Sequence, residues 1–184
     1  MAGAAANRAI LPAMNITCRP THPFDVAALP AIERAAARRF RQYPELAWLA
    51  DSEVLSSQQH LDFVRRGLSW LAIAENQPVG FILAEAHRAS LFIAELSVHL
   101  AWQGHGIGRE LLRCAIDNAR ERGFSSLTLT TFRDVPWNAP FYARMGFEYE
   151  ADEALAPELQ QKRAQEAAHG LAYGSRCAMR LRVR

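Results

Sequence analysis

The chain has 184 residues, of which 50% are hydrophobic and 22% are charged, and its formal net charge at pH 7 is +2. This length and composition predict one ordinary globular domain and exclude a disordered or fibrous protein. So small a net charge gives no support to a nucleic-acid partner, which normally requires a concentrated basic surface.

Cysteine and histidine spacing argues against disulfide and metal chemistry. The cysteines, Cys18, Cys114 and Cys177, are odd in number and far apart, which favours a reduced, cytoplasmic compartment. The six histidines show no spacing that would hold zinc. We therefore expect neither a metal site nor a disulfide framework.

The first 14 residues are predicted to form a disordered tail, which leaves residues 15–184 as a single domain. Their Ala-rich run is interrupted by Asn7, Arg8 and Pro12, so it lacks the continuous apolar length of a signal sequence or membrane span. No membrane partner is expected. Met14 is an alternative start codon.

The first predicted elements are a short strand and a helix. Residues 16–19 alternate apolar and polar side chains and end at Pro20, as a short strand does. Asp25 is predicted to cap the helix that follows. Its apolar stripe consists of Val26, Leu29, Ile32, Ala36 and Phe40.

A second helix is predicted over residues 57–66, with Leu61 and Val64 facing inward and Gly67 ending it. Between the two helices lies an apolar patch that is either core or the wall of a substrate pocket. The patch consists of Tyr43, Leu46, Trp48 and Leu49.

The rest of the chain alternates strands and helices. Three strands over residues 69–75, 78–86 and 91–99 form an antiparallel meander. A strongly amphipathic helix over 107–122 leads to a strand at 126–132, which should pair in parallel with the strand before the helix. The remaining predicted elements are a helix at 138–145, a strand at 147–150, a helix at 157–168 and a strand at 176–183.

The segment from Gln103 to Gly108 reads Gln-Gly-His-Gly-Ile-Gly and lies directly between a strand and a helix. Glycines allow a tight turn, and the first helical turn offers unpaired N–H groups, so such a loop can bind pyrophosphate. The spacing of its glycines does not fit the Rossmann fingerprint, and no Gly-Lys-Ser/Thr follows as in a Walker loop. A glycine-rich turn without a ligand is the remaining alternative.

The segment over residues 95–112 resembles the acetyl-CoA signature of the GNAT superfamily, whose core is Gln/Arg-x-x-Gly-x-Gly/Ala. Residues 138–147, Asn-Ala-Pro-Phe-Tyr-Ala-Arg-Met-Gly-Phe, resemble that family's Asn-x3-Tyr-x3-Gly-Phe segment. The resemblance extends over residues 16–150. It implies a single α/β domain with a mixed, mostly antiparallel sheet, one parallel splayed strand pair and helices on both faces.

The resemblance also implies which residues bind the cosubstrate, acetyl-CoA. The loop from Gln103 to Arg109 would bind the pyrophosphate through backbone N–H groups, the strand before it would pair with the pantetheine arm and acetyl carbonyl, and Asn138 would bond the pantetheine. The cofactor-binding residues predicted in this way are Leu96, Ser97, Val98, Gln103, Gly104, His105, Gly106, Ile107, Gly108, Arg109 and Asn138.

Two catalytic residues are expected from the resemblance and from the chemistry of amine acylation. Tyr142 would donate a proton near the sulfur, although a purely packed aromatic is the alternative. Glu95 is the leading general base, with His99, Asp134 and His105 as other candidates. His99 shares the Glu95 face by strand parity, so the two are predicted to form one relay.

Residues 133–137 form a longer connection than expected and are predicted to build a pocket wall. Trp137, which follows Pro136, is interpreted as a structural anchor in preference to a ligand platform.

These observations predict an acetyl-CoA-dependent N-acetyltransferase that acts on a primary amine of a small molecule or peptide by direct attack in a ternary complex. No Cys or Ser lies in a nucleophile setting that would form an acyl-enzyme. The resemblance also favours a homodimer. Two alternatives remain, a noncatalytic acyl-CoA-sensing module and a toxin-like aminoacyl-tRNA acetyltransferase. The latter requires a basic patch, for example through Arg34, Arg38, Arg39 and Arg41.

Overall fold

The computed structural model describes residues 14–183, so the predicted tail lies outside the described residues except for Met14. Its centre is a seven-stranded sheet in the order β1-β2-β3-β4-β5-β7-β6. The strands are β1 (Ile16–Pro20), β2 (Ser69–Ala74), β3 (Gln77–His87), β4 (Ser90–Val98), β5 (Ser126–Phe132), β6 (Glu148–Glu150) and β7 (Arg176–Arg182). The predicted strands are confirmed to within a few residues.

Five α-helices flank this sheet. They are α1 (Leu29–Ala37), α2 (Ser57–Arg65), α3 (Ile107–Glu121), α4 (Ala139–Arg144) and α5 (Pro157–Ala168). The bounds of α5 are those predicted, because Pro157 begins the helix and Gly170, at φ +92°, follows its end. Short 3₁₀ segments, Pro23–Ala28, Arg38–Gln42 and Pro44–Asp51, surround α1.

The first predicted helix requires a correction, because it is divided into 3₁₀, α and 3₁₀ segments. Asp25 is not its N-cap. The cap is His22, and the buried Asp25 carboxylate accepts the His22 backbone N–H at 2.7 Å and the guanidinium of Arg19 at 2.7 Å. The Arg19 guanidinium lowers the pKa of Asp25, so this carboxylate ties the strand β1 to the segment that follows it.

Helices cover both faces of the sheet, as predicted, and each face has its own cluster of buried apolar residues. On one face, α3 buries its apolar stripe, including Leu111 and Ala115, against the central strands, and Tyr142 of α4 joins the same cluster. On the other face, Leu29 and Ile32 of α1 pack on β2 and β3. Along this face, Leu155 and Leu159, which lie before and within α5, contact Phe92.

The strands β4 and β5 separate soon after they begin. They pair in parallel only from Ser90 to Phe92, opposite residues 126–128, and then diverge. The register of β4 against β3 also shifts, since Leu83 faces Glu95 while the next residue, Ala84, faces Ile93. This places an extra residue, Ala94, in β4 as a β-bulge, which redirects the side chains that follow it. The predicted parallel, splayed pair is therefore confirmed.

Candidate active site

A cavity of about 1420 Å³ opens where β4 and β5 diverge. Its walls come from the glycine-rich loop, both strands, α1, α4 and α5. Because the two strands share no ladder beyond Phe92, the second half of β4 presents backbone groups to this cavity. The cavity thus combines the glycine-rich loop, an open strand edge and two predicted catalytic side chains.

The glycine-rich loop has the backbone conformation that its sequence predicts. Gly104 and Gly106 adopt φ values of +82° and +79°, in the left-handed region that glycine favours, and a Cβ added at either position would meet no atom within 4 Å. The backbone is therefore held open towards the cavity. Gln103 closes the base of the loop, since its side-chain amide donates to the Val98 carbonyl at 2.9 Å.

The N-terminus of α3 begins inside this loop. Gly106 is its N-cap, and the N–H groups of the first helical turn have no intrahelical acceptor. Together with the helix dipole these groups form a site for an anion, to which the cavity-lining arginines Arg109, Arg113 and Arg144 add positive charge. The space next to Gly104 and Gly106 is empty and could hold a pyrophosphate, whereas a residue with a side chain at either position would fill part of that space.

The predicted pantetheine-binding residues also border the cavity. Leu96, Ser97 and Val98 lie on the unpaired part of β4, and Asn138 lies at the N-terminus of α4. The Asn138 side-chain oxygen accepts the Phe132 backbone N–H at 3.3 Å, which fixes the amide at the end of β5.

Glu95 lies at the β4 bulge and lines the cavity. The hydroxyl of Ser97 donates to its carboxylate at 3.0 Å. Burial, followed by the nearby negative charge of Glu33, raises the pKa of Glu95 to about 7. A carboxyl group with this pKa exchanges its proton at neutral pH, as a general base requires.

Tyr142 is 8% exposed and contacts Phe141 and Phe147 edge-on, with ring centroids 5.2 Å and 5.6 Å apart. It also lines the cavity. Burial, followed by the charge of Glu95, raises its pKa, so the phenol keeps its proton at neutral pH. The electrostatic link between Tyr142 and Glu95 brings the two predicted catalytic residues into one site.

The predicted relay between Glu95 and His99 is wrong. His99 does not line the cavity, and its Nδ1 accepts the Ala101 backbone N–H at 3.0 Å, so it caps the short turn after β4. The partner of Glu95 is Ser97. Of the other candidate bases, Asp134 is not among the cavity residues, whereas His105 lines the cavity within the glycine-rich loop.

Sequence reasoning missed the contribution of α1 and α5 to the site. Glu33 of α1 lines the cavity, and its carboxylate accepts the Leu55 backbone N–H at 2.7 Å. It lies four residues after the buried Leu29, on the inward side of α1. The sequence did contain a signal for this, namely an acidic residue at the helical spacing of the inward, apolar face of α1.

Helix α5 closes another side of the cavity with two charge-compensated pairs. Glu166 accepts two 3.0 Å hydrogen bonds from Arg176 and a further one from Thr130. Lys162 binds Glu85 at 3.0 Å. These pairs neutralise both cationic side chains of this wall and fix α5 against the sheet.

The aromatic wall is built by Trp137 and the segment after α1. Trp137 contacts Phe40 and Tyr43 with ring centroids 5.5 Å and 5.6 Å apart, and the Arg39 guanidinium lies 4.2 Å from its ring centroid. Trp137 therefore anchors this segment and also lines the cavity. Of the predicted apolar patch, Leu49 lines the cavity while Trp48 is 47% exposed.

The arginines that would form a basic patch are not gathered at the cavity. Arg39 lines it, whereas Arg34, Arg38 and Arg41 are exposed elsewhere, and Arg41 pairs with Asp51 at 3.3 Å. Within residues 14–183, no cluster of three or more His, Cys, Asp or Glu side chains could hold a metal ion. No helix in the same part of the chain is long and apolar enough to cross a bilayer.

The fold is similar to those of several solved structures. The PaiA N-acetyltransferase of Thermoplasma acidophilum, solved with coenzyme A, has a TM-score of 0.67 at 18% identity over 92% of this chain and 99% of that chain. The ribosomal-protein-S18-alanine N-acetyltransferase of Escherichia coli has a TM-score of 0.63 at 16% identity, with 92% and 94% covered. Identities this low show a shared fold.

The N-acetylglutamate synthase of Neisseria gonorrhoeae, solved with coenzyme A and N-acetyl-glutamate, has a TM-score of 0.68 at 17% identity. The match covers 92% of this chain and only 35% of that longer chain. Coenzyme A in the Thermoplasma acidophilum and Neisseria gonorrhoeae structures agrees with the acetyl-CoA predicted from the sequence. The model of the acetyltransferase (GNAT) family matches residues 31–147, well over half of the chain. The protein therefore belongs to the GNAT acetyltransferase family.

Proposed function

We propose that this protein is an acetyl-CoA-dependent N-acetyltransferase that acts on a primary amine by direct attack. The observation that carries this proposal is that Glu95, Tyr142 and the glycine-rich loop border one cavity at the opening between β4 and β5. A noncatalytic module would need the loop alone. A half-buried base and a buried proton donor that line the same cavity favour turnover.

The loop from Gln103 to Arg109 binds the cosubstrate pyrophosphate through the N–H groups at the start of α3. The open edge of β4, Leu96 to Val98, holds the pantetheine arm and offers N–H donors to the acyl oxygen, on which negative charge develops. Bound acetyl-CoA supplies an acetyl group activated as a thioester. Asn138, already held by Phe132, donates its amide N–H to the pantetheine.

Glu95 accepts a proton from the incoming ammonium, which leaves a neutral amine able to attack. The new C–N bond forms as the C–S bond breaks, and the sulfur carries away the electron pair. Tyr142 donates to this thiolate. Once Glu95 is protonated, its charge no longer raises the Tyr142 pKa, so the phenol becomes a better donor as the thiolate leaves. After the attack the nitrogen loses its second proton, which restores the Tyr142 phenol, while the first proton passes from Glu95 to solvent.

The test combines calorimetric titration with acetyl-CoA and a thiol-release assay on a panel of primary amines, with mass spectrometry of the products. We expect binding, amine-dependent thiol release and a product heavier by one acetyl group. Binding without release for any amine would instead establish the noncatalytic module. A protein that does not bind acetyl-CoA would contradict both.

A further inference from the structure

The side of the cavity next to α1, called the acceptor side below, holds two carboxylates that no ion pair compensates within residues 14–183. Glu33 and Glu95 both line it, and the charge of Glu33 raises the Glu95 pKa, so the two groups interact. The ion pairs found among residues 14–183 include neither residue. Two half-buried carboxylates that repel each other are a binding site for positive charge.

The positive charges near this pair offset it only in part. The charges of Arg176 and Arg34 lower the pKa of Glu95 and of Glu33 respectively, yet the pKa of each carboxyl group stays raised. The cavity-lining Arg109, Arg113 and Arg144 belong to the anion site at the start of α3.

Lys162 is paired with Glu85 and Arg176 with Glu166. Arg39 stacks on the Trp137 ring, which already provides an electrostatic partner for its guanidinium. A third carboxylate, that of Glu53, lies exposed at the cavity rim. On the acceptor side, the carboxylates of Glu33, Glu95 and Glu53 form no ion pair within residues 14–183, whereas the cationic Lys162 and Arg176 do.

Glu33 is also held in place for binding. Its carboxylate accepts the Leu55 N–H at 2.7 Å, which joins α1 to the segment before α2 and fixes one oxygen. The other oxygen remains available to a ligand. In the mechanism above, the proton of the reacting amine goes to Glu95, so the Glu33 carboxylate, whose charge only tunes the Glu95 pKa, is free to bind another group. A second carboxylate beside it suits a second cationic group of the same substrate.

We propose that Glu33 is a specificity-determining residue that binds a second ammonium group of the acceptor, so that the preferred substrates are α,ω-diamines and longer organic polycations. The inference rests on the proposed function and gives its substrate class. The Glu33 carboxylate accepts charge-assisted hydrogen bonds from the distal ammonium and orients the other amine towards Glu95. Monoamines and ω-amino acids lack this contact.

The experiment compares, at each chain length of a series, an α,ω-diaminoalkane, the n-alkylamine and the ω-amino acid. The variant Glu33→Gln keeps an oxygen for the Leu55 N–H but loses the charge. The control, Glu45→Gln, removes an equal charge from an exposed position away from the cavity. We expect Glu33→Gln to raise KM for the diamine by about tenfold or more, and KM for the monoamine by about twofold at most. Glu45→Gln should change neither KM.

A general structural role of Glu33 would raise KM for the diamine and monoamine equally, and that result would overturn the proposal. A wild-type preference for the ω-amino acid would also overturn it, since that acceptor would be using Arg39. A calorimetric titration of the diamine into the protein saturated with coenzyme A tests the Glu33 site separately from the N-acetyltransferase function. Diamine binding that Glu33→Gln removes, without turnover of any amine, would support the Glu33 site while contradicting the N-acetyltransferase function.

Discussion

The Ser97 hydroxyl donates a 3.0 Å hydrogen bond to the Glu95 carboxylate, two residues earlier on the same strand. Alternate residues share a face of a strand, and the bulge at Ala94 turns this face away from α3 and towards α1. Hydrogen bonding to the carboxylate lowers the Glu95 pKa, whereas burial and the charge of Glu33 raise it. Together these opposing effects leave the pKa of Glu95 at about 7.

The pH dependence of kcat/KM should report this base. A carboxyl group with a raised pKa of about 7 is protonated and inactive below that pH, so activity should rise through about pH 7. Glu95→Gln should lower kcat/KM by roughly 10²-fold or more and remove this rise. Glu33→Gln removes a negative charge that raises the Glu95 pKa, so the rise should move to lower pH.

The measurement is a pH–rate profile with one amine for the wild type and both variants, with Glu45→Gln as the exposed control. An unchanged inflection in Glu95→Gln would assign the base to another group, and His105 would be the next candidate at the cavity.

The variant Tyr142→Phe distinguishes proton donation by the hydroxyl from packing of the ring. The ring contacts with Phe141 and Phe147 remain in this variant, so thermal stability and acetyl-CoA affinity should change little. If the hydroxyl donates to the leaving thiolate, kcat should fall by roughly 10²-fold. A matched control is Tyr149→Phe, which removes the hydroxyl of a residue that is 50% exposed on β6. Full activity in Tyr142→Phe would reduce Tyr142 to a packed aromatic.

The glycines at the two ends of α3 provide a test of the cofactor loop and a control with the same backbone strain. Gly106, at φ +79°, precedes the helix and Gly123, at φ +78°, follows it, and neither would place a Cβ within 4 Å of another atom. Alanine at either position should cost about 1–2 kcal/mol of folding free energy, because both angles are left-handed. Only Gly106→Ala should weaken acetyl-CoA binding, by about tenfold or more, since its Cβ enters the space expected to hold the pyrophosphate.

Calorimetric titration and thermal unfolding of the two variants measure these effects separately. Equal losses of affinity in Gly106→Ala and Gly123→Ala would mean that strain, and not the ligand site, explains the effect. Gly106→Trp extends the test, because a large side chain should abolish binding altogether.

Local sequence signals predicted most of the secondary structure here and less of the site. Pro157 fixed the start of α5, and the glycines of the loop specify its positive φ angles, because both effects act within a few residues. The bulge at Ala94 has no such local signal, and neither does the end of β4 at Val98, which leaves His99 in the following turn where strand parity no longer applies. Glu33 approaches Glu95 only because α1 packs across β4, a contact between segments about 60 residues apart.

His60 is a further residue that local patterns misplaced, since Leu61 and Val64 were expected to be the inward residues of α2. The structure buries His60 completely, with its ring 4.9 Å from that of Phe81 and edge-on to it, while Leu61 and Val64 are half-buried. Within residues 14–183, neither ring nitrogen has a hydrogen-bond partner. Burial lowers the His60 pKa from 6.5 to about 4, so the folded state holds the neutral ring.

This pKa difference predicts how folding stability depends on pH. The unfolded chain binds a proton at His60 below about pH 6.5, whereas the folded chain does so only below about pH 4, so stability falls as the pH falls between these values. The total loss from this residue is about 3 kcal/mol. In His60→Leu this contribution should vanish. Urea denaturation of both proteins across this range isolates it, because the carboxylates titrate alike in each. If the unfolding free energy of the wild type and of His60→Leu changed in parallel with pH, His60 would be solvated or protonated in the folded state.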